Sequence, residues 1–337
     1  MQECILYHKL KENKVQCTAC RHKCTIDDDK NGLCGVRQNK GGKLYLAVYG
    51  KASSVNVDPI EKKPMYHFLP GSHIFSIGTL GCNFSCDFCQ NFDISQATKN
   101  NNIRNYGHEL SPKKIVDTCI KENIKSIAFT YNEPTVFFEY AYDTMKLAKR
   151  HGIKNVFVSN GYESDEAIEL MKGPLDGINI DLKSFNDEFY KKVCKARLDK
   201  VLETIKKVHK SGIWLEITTL VIPGQNDSNE ELKKIAEFIF NIDRNIPWHI
   251  TAFHPDYRMT SLPVTELSAL KKAYSIGKKA GLKYVYTGNV IDNTFSNTYC
   301  HKCNHLLIRR VGYNTIIEDF EKGKCNKCAA IIPGIWA

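Results

Sequence analysis

The stretch Ser76–Asn91, SIGTLGCNFSCDFCQN, joins the end of an apolar run to three closely spaced cysteines. The run itself, His73–Thr79 (HIFSIGT), predicts a buried β-strand. Cys82, Cys86 and Cys89 follow it with the spacing C-x3-C-x2-C, so their sulfur atoms can converge on one metal centre with little loss of loop entropy. Three thiolates are one fewer than a closed zinc site or a four-ligand cluster needs. The stretch therefore favours a [4Fe–4S] cluster with one open iron. The alternative is zinc completed by water or by a nearby histidine, His67 or His73.

Short apolar runs alternate with helix-like segments beyond this motif. One helix is expected to begin at Ser111-Pro112, with Ser as the N-cap and Pro in the first turn. This alternation is typical of βα units with a parallel sheet, which curl into a barrel or an open doubly wound sheet. In either fold, functional residues lie at the C-terminal ends of the strands. The predicted strands are His73–Thr79, Ser126–Thr130, Asn155–Ser159, Gly177–Asp181, Ile213–Val221, Trp248–Phe253 and Tyr284–Thr287.

The 337-residue chain has 14 cysteines, most of them in three clusters. Nothing in the sequence directs the chain to an oxidising compartment, so clustered thiols indicate metal rather than disulfides. We expect an N-terminal Cys-rich lobe with a short hairpin over residues 1–70, an α/β region over 71–292 and a zinc-ribbon-like lobe over 293–337. The hairpin is expected to pair Lys43–Tyr49 with Ser53–Val57 around Gly50.

The two terminal cysteine clusters each offer four thiolates. Cys17, Cys20, Cys24 and Cys34 are irregularly spaced and could bind zinc or a second iron–sulfur cluster, with His22 as a substitute ligand. A site shared between the two lobes is a third possibility. The C-terminal cluster has two C-x2-C pairs around a hairpin-like stretch, a pattern typical of a zinc ribbon, with an auxiliary iron–sulfur cluster as the competitor. Its members are Cys300, Cys303, Cys325 and Cys328.

The net charge of +10 is spread along the chain. Solvated helix faces explain it most simply, although it also suits nucleic acid, an anionic substrate or an acidic electron donor. No apolar run approaches ~18 residues, and the N-terminus lacks the pattern of an export signal. We therefore expect a cytoplasmic protein without a membrane span. The polar run Thr98–Asn105 predicts a loop.

The C-x3-C-x2-C motif, with Phe88 before its last cysteine, resembles the signature of radical S-adenosylmethionine (SAM) enzymes. The resemblance implies an α/β fold, a partial (β/α)6 barrel, and a [4Fe–4S] cluster on Cys82, Cys86 and Cys89. It further implies that SAM binds the open iron and is cleaved by one electron, from a donor such as flavodoxin or ferredoxin. The resulting 5′-deoxyadenosyl radical takes a hydrogen atom from the substrate.

Other strand ends match motifs of the same superfamily. Thr130–Pro134 (TYNEP) resembles the GGEP-like motif that grips the SAM amino group, with Tyr-Asn in place of Gly-Gly. Ser159-Asn160-Gly161, Asp181-Leu182-Lys183 and Phe253-His254-Pro255 resemble triplets of glycyl-radical-enzyme activases that lie near SAM, as does Val221–Asp227 (VIPGQND), which would shape the pocket. A helix cap, a turn, a surface ion pair and a structural histidine are the ordinary alternatives. The SAM contacts implied in this way are Tyr131, Asn132, Glu133, Ser159, Asn160, Asp181, Lys183 and His254.

A narrower resemblance lies upstream. Asp58–Pro64 (DPIEKKP) and His67–Ser72 (HFLPGS) resemble the AmmeMemoRadiSam-system radical SAM proteins, often labelled pyruvate formate-lyase activating enzyme-like. This implies Memo-like and AMMECR-like proteins as functional partners. The first segment could hold an anionic substrate or be a solvated loop.

Four functions follow as hypotheses. The first is a radical SAM enzyme acting on an unidentified small molecule or side chain. The second is a glycyl-radical-enzyme activase with a protein substrate, and the third is an RNA-modifying enzyme, since nucleic acid is not excluded. The fourth is a zinc-ribbon binding protein without catalysis.

Overall fold

The computed structural model describes residues 1–100 and 107–336. The polar run Thr98–Asn105 therefore lies largely outside the described residues, although its start belongs to a 3-10 turn, Ala97–Asn100. None of the helices in the described residues has the length and hydropathy of a membrane span. The chain divides into two units. Unit 1 comprises Met1–Asp58, His73–Ile178 and Val193–Ile213, and unit 2 comprises Pro59–Ser72, Asn179–Lys192 and Trp214–Ala337.

Unit 1 is built around three parallel strands, His73–Gly78, Ser126–Phe129 and Lys154–Ser159. The middle strand is buried along its whole length, which explains its continuous apolar sequence. Its register places Ile127 opposite Phe75 on one side and Asn155 on the other. All three strands agree with the predictions to within a residue or two. A fourth strand, Gly177–Asp181, begins in unit 1 and ends in unit 2.

The helices of unit 1 begin where the sequence predicts. Ser111 caps its helix by accepting a hydrogen bond of 3.2 Å from the main-chain nitrogen of Lys114, and Pro112 occupies the first turn. Ser164 caps another helix through the nitrogen of Ala167. The α-helices of four or more residues are Phe92–Ser95, Pro112–Lys121, Phe138–Arg150, Asp165–Met171 and Leu198–Lys210, and a 3-10 turn, Pro134–Phe137, precedes the third.

The N-terminal part of unit 1 is made of short strands, and here one prediction is wrong. Lys43–Leu46 pairs with Arg37–Lys40 and with Gln2–Glu3, not with the strand beyond Gly50. The hairpin turns at Gly41-Gly42, both with positive φ, because that dipeptide allows the tight reversal. The remaining strands in this part of the chain are Tyr7–Lys9, Val15–Cys17, Thr25–Ile26, Lys51–Ala52, Ser54–Pro59 and His108–Glu109.

Unit 2 contains three parallel strands and two long helices. The strands are Trp214–Val221, Trp248–Ala252 and Val285–Gly288, and Trp248 lies opposite both Ile217 and Val285. The helices are Asn229–Asp243 and Leu267–Lys279, with single turns at Ile60–Lys62 and Asp187–Phe189. A further turn, Tyr190–Cys194, begins in unit 2 and ends in unit 1. Parallel strands separated by helices are the predicted α/β arrangement.

The C-terminal part of unit 2 forms the predicted hairpin. Leu306–Val311 pairs antiparallel with Asn314–Ile317, and short strands flank it at Thr298–Tyr299, Phe320–Glu321 and Lys324–Cys325. Cys300 and Cys325 are buried in a small apolar core with Tyr286, Leu307 and Ile308.

Candidate active site and metal centres

The cysteine triad lies in the loop that follows the His73–Gly78 strand. Gly81 has a φ of +90°, and a Cβ atom there would lie 2.5 Å from the carbonyl oxygen of Cys34, so the loop requires glycine. The side chain of Asn132 holds the same loop, since it accepts a 3.0 Å hydrogen bond from the nitrogen of Thr79 and donates one of 2.6 Å to the Gly81 oxygen. The turn before Cys82 is therefore fixed by its close packing against Cys34 and by the hydrogen bonds of Asn132.

The structure places the three predicted thiols in one loop, where Cys86 and Cys89 act electrostatically on Cys82. Burial raises the pKa of Cys82, and the negative charges of Glu133, Cys86 and Cys89 raise it further. Cys86 is buried, and the sulfur of Cys89 lies 3.2 Å from the hydroxyl oxygen of Ser95. A cation or a metal would lower the cost of ionising these thiols in such surroundings.

Lys99 is a neighbour of the triad that sequence reasoning missed. Its ammonium group donates a 2.6 Å hydrogen bond to the carbonyl oxygen of Phe84 and another to the hydroxyl of Ser85, both within the cysteine loop. Burial lowers its pKa, whereas the charges of Cys82 and Cys86 oppose that shift. Lys99 stands in a polar run without periodicity, so no local pattern marked it.

Glu133, Ser159 and Asn160 were predicted as SAM contacts, and the structure joins them in one network. The buried carboxylate of Glu133 accepts hydrogen bonds of 3.1 Å from the Ser159 hydroxyl and of 2.7 Å from the main-chain nitrogen of Asn160. It also caps the turn that follows it, by accepting from the nitrogen and the hydroxyl of Thr135. The network connects the C-terminal ends of two neighbouring parallel strands.

A second buried carboxylate, Glu163, completes this network. The Ser159 hydroxyl oxygen is also within hydrogen-bond distance of Glu163, so one hydroxyl lies between two acids that share its single proton. Burial, followed by the charge of Glu163, raises the pKa of Glu133 to about 8. Burial also raises the pKa of Glu163. The pair therefore retains a proton near neutral pH. Glu163 comes four residues after Ser159, a spacing that suggested no function in the sequence.

The two residues that replace Gly-Gly in the TYNEP motif have structural contacts. Asn132 holds the cysteine loop, as described above. Tyr131 has a φ of +69°, which is unusual for a side chain of this size, and its hydroxyl donates a 2.7 Å hydrogen bond to Asp58. Its carbonyl oxygen accepts a hydrogen bond from Asn91, just beyond the triad.

The remaining predicted SAM contacts belong to unit 2. Asp181 and Lys183 form an ion pair of 2.7 Å, and the side chain of Lys183 is only 12% exposed. Asn226 of the VIPGQND motif fixes this segment by donating a 2.7 Å hydrogen bond to the Lys183 carbonyl oxygen. His254 is 55% exposed, and its Nδ1 atom lies 4.0 Å from a carboxylate oxygen of Asp256.

The DPIEKKP segment is not the solvated loop that was one interpretation of it. Glu61 is buried and accepts hydrogen bonds from the nitrogen of Gly71 and the hydroxyl of Thr315, with the buried guanidinium of Arg310 3.7 Å away. His67 is fully buried, and its ring nitrogens lie 2.8 Å from the Pro333 carbonyl oxygen and 2.6 Å from the Tyr286 hydroxyl. With both nitrogens engaged in this way, His67 is a poor candidate for a metal ligand.

The C-terminal thiols are arranged as for one metal ion. Their sulfur atoms all lie within 4.8 Å of one another. Cys300 and Cys328 are 3.5 Å apart, and Cys303 and Cys325 are 3.7 Å apart. Four thiolates around one zinc ion, each at ~2.3 Å, would be roughly 3.8 Å apart, so the donor set fits tetrahedral coordination.

The N-terminal thiols are arranged differently. Cys17, Cys20, Cys24 and Cys34 line one cavity, together with Arg37 and Asn83. Within the described part of the chain, no three of these thiols bring their sulfur atoms within 4.8 Å of one another.

Comparison with known proteins gives the family. The family description "Radical SAM superfamily" matches residues 76–239, which include the cysteine triad and the Glu133 network. An uncharacterized protein of Methanocaldococcus jannaschii is 43% identical over 331 residues, covering 97% of this chain and 98% of that protein. The pyruvate formate-lyase-activating enzyme of Clostridium pasteurianum is 23% identical over 210 residues, covering 57% of this chain and 84% of that enzyme.

A solved structure shows the same fold. SuiB of Streptococcus suis, bound to S-adenosylmethionine, matches with a TM-score of 0.53 and 13% identity, over 72% of this chain and 56% of that one. Together with the family match, this confirms the predicted fold class. The chain belongs to the radical SAM superfamily, whose members use a [4Fe–4S] cluster and SAM, and it is related to the pyruvate formate-lyase-activating enzymes.

Proposed function

We propose that this protein is a radical SAM enzyme in which Cys82, Cys86 and Cys89 hold the [4Fe–4S] cluster and which abstracts a hydrogen atom from a substrate not yet identified. The observation that carries the proposal is the donor set: three thiols in one loop at the end of a parallel strand, within electrostatic range of the buried Glu133. Three thiolates suit a cluster that keeps one iron open. When bound, the cluster and SAM supply the electron transfer and the 5′-deoxyadenosyl radical, and the protein binds, orients and excludes water.

The Glu133 network is suited to an ammonium group. We assign the SAM amino group to Glu133, because a buried carboxylate pair that retains a proton can lose it when a cation arrives. Ser159 and Asn160 then hold Glu133 in position through the hydrogen bonds described above. Tyr131 and Asn132 would act mainly by shaping the cysteine loop.

The residues of unit 2 are assigned on the resemblance of their motifs. We propose that Asp181, Lys183 and His254 contact SAM or the substrate. Two features support this assignment: the low exposure of Lys183, and the hydrogen bonding that fixes its main chain to Asn226.

The terminal lobes are proposed to be metal sites outside the reaction. We propose the domain bounds expected from the sequence: metal-binding lobes at 1–70 and 293–337, and a catalytic region at 71–292. We propose structural zinc at the C-terminal thiols, since their spacing fits a single tetrahedral ion. A flavodoxin or ferredoxin as electron donor, and Memo-like and AMMECR-like proteins as partners, are proposed on resemblance alone.

The test is SAM cleavage by anaerobically reconstituted protein. With SAM and a strong one-electron reductant, we expect brown protein that forms 5′-deoxyadenosine. Cys86→Ala should abolish cleavage, whereas Cys119→Ala, at a buried cysteine of the Pro112–Lys121 helix, should retain it. Colourless protein after reconstitution, or full cleavage by the Cys86 variant, would overturn the proposal and favour a non-catalytic zinc-ribbon protein.

A glycyl-radical-enzyme activase is the second candidate. The relative that favours it is the activating enzyme of Clostridium pasteurianum, because this chain matches most of that enzyme's length. The deciding experiment incubates the reduced enzyme and SAM with an anaerobic extract and looks for the electron paramagnetic resonance (EPR) doublet of a glycyl radical. Deuterium exchange between 5′-deoxyadenosine and a small molecule, without that doublet, would favour the first branch.

A further inference from the structure

The N-terminal cysteines enclose a space instead of meeting at a point. Cys17 ends a short strand, and its main-chain nitrogen donates a 2.9 Å hydrogen bond to the Cys24 oxygen, which brings these two cysteine segments together. Cys20 lies in the turn between them, and Cys34 lies ahead of the Arg37–Lys40 strand. All four residues line one cavity.

The C-terminal thiols provide an internal comparison. There, sulfur pairs lie 3.5 and 3.7 Å apart, as a single ion requires. The N-terminal sulfurs lack this convergence in the described chain, although they are also four in number and largely buried. In a [4Fe–4S] cluster each thiolate binds a different iron, so the thiolates surround a core. Four thiols that line a cavity, and do not meet at a point, have the arrangement that such a core requires.

The polar groups around the cavity fit a sulfur-rich anionic ligand. The guanidinium of Arg37 is 2% exposed, and its Nη1 atom donates towards the Cys17 sulfur at 3.8 Å. Asn83 is 4% exposed, and its Nδ2 donor has no hydrogen-bond partner among the described residues. Buried donors normally have a partner, and hydrogen bonds to sulfur are a regular feature of iron–sulfur sites.

We propose that Cys17, Cys20, Cys24 and Cys34 ligate a second [4Fe–4S] cluster with all four irons bound to protein. Asn83 connects its cavity to the triad, because its Oδ1 atom lies 3.8 Å from the Cys82 sulfur. The second cluster is therefore one side chain away from the site of SAM cleavage. It has no open iron, so it does not bind SAM.

The test removes the triad and examines what iron remains. The full-length variant Cys82→Ala/Cys86→Ala/Cys89→Ala is reconstituted anaerobically with iron and sulfide. We expect about four irons and four sulfides per chain, half the wild-type content, with the Mössbauer spectrum of a [4Fe–4S] cluster. SAM should leave the EPR signal of the reduced cluster unchanged, because no iron is open.

A second variant assigns the ligands. Adding Cys20→Ala and Cys24→Ala to the triple variant should remove this iron, and retained C-terminal metal and an unchanged circular dichroism spectrum would show that the chain still folds. Zinc in place of iron in the triple variant, or iron that survives the loss of Cys20 and Cys24, would overturn the inference. The readout does not depend on SAM cleavage, so its failure is distinct from a failure of the proposed function.

Discussion

The carboxylate of Glu133 accepts a 2.7 Å hydrogen bond from the main-chain nitrogen of Asn160. Glu133 follows the Ser126–Phe129 strand, and Asn160 follows the neighbouring parallel strand, Lys154–Ser159. A side chain at one strand end thus fixes the backbone at the next. The same carboxylate shares the Ser159 hydroxyl with Glu163. The position of the Glu133 side chain and the protonation of the two acids are therefore coupled at these strand ends.

The stability of the protein should fall as the pH rises. The pKa of Glu133 is about 8 in the folded chain and near its ordinary value of 4.5 when the chain is unfolded. The folded state therefore binds more protons between these values, and the free energy of unfolding decreases from about pH 5 to pH 8.

Glu163→Gln removes the neighbouring charge and should flatten that decrease. Urea unfolding at several pH values measures the effect. The control is Glu169→Gln, because Glu169 is an exposed glutamate that forms an ion pair with Lys172. Equal slopes for the wild type and Glu163→Gln would contradict the coupling.

Ser159→Ala should weaken SAM binding and lower stability. The substitution leaves both buried carboxylates without their shared donor, which typically costs about 1–3 kcal/mol. Equilibrium dialysis of the reconstituted protein measures SAM affinity, and denaturant unfolding measures stability. Ser275→Ala is the matched control, because that hydroxyl donates to the Lys271 carbonyl oxygen within an exposed helix turn. Unchanged SAM affinity in the Ser159 variant would argue against a SAM site at this network.

Gly81→Ala should reduce the iron content of the triad as well as stability. Its φ of +90° disfavours a side chain, and the new Cβ would lie 2.5 Å from the Cys34 oxygen. The comparison is Gly152→Ala, where φ is +71° but nothing lies within 4 Å of the Cβ position. Both variants should lose about 1 kcal/mol of stability through the backbone conformation. Only Gly81→Ala should lose additional stability through the clash. Iron analysis and thermal unfolding check this; identical losses would show that the close approach to Cys34 is unimportant.

Cys303→Ser should remove the C-terminal metal and loosen its lobe. Cys300 and Cys325 belong to the apolar core of that lobe, so loss of metal should expose Leu307 and Ile308. We expect about one zinc fewer per chain and faster hydrogen exchange in the Leu306–Val311 strand. Cys119→Ser should keep the metal. Slow exchange in a zinc-free Cys303 variant would show that packing alone holds the hairpin.

Much of the fold follows from local sequence. The strand ahead of Cys82, the Ser111-Pro112 helix start and the C-terminal hairpin were all predicted correctly. These features depend on period, capping and spacing, which involve residues close together in the chain. The superfamily likewise followed from a motif of eight residues and its position after a strand.

Tertiary structure decided what depends on distant partners. The pairing of Lys43–Leu46 with Arg37–Lys40, and not with the strand beyond Gly50, depends on competing registers that short alternating runs do not distinguish. The contact of Glu163 with Ser159 and the burial of Glu61 arise where separate segments pack together. Spacing alone marked both terminal clusters as metal sites, but only the folded chain distinguishes thiols that converge on a point from thiols that surround a cavity. That difference is set by how the backbone segments pack, and packing is a property of the whole chain.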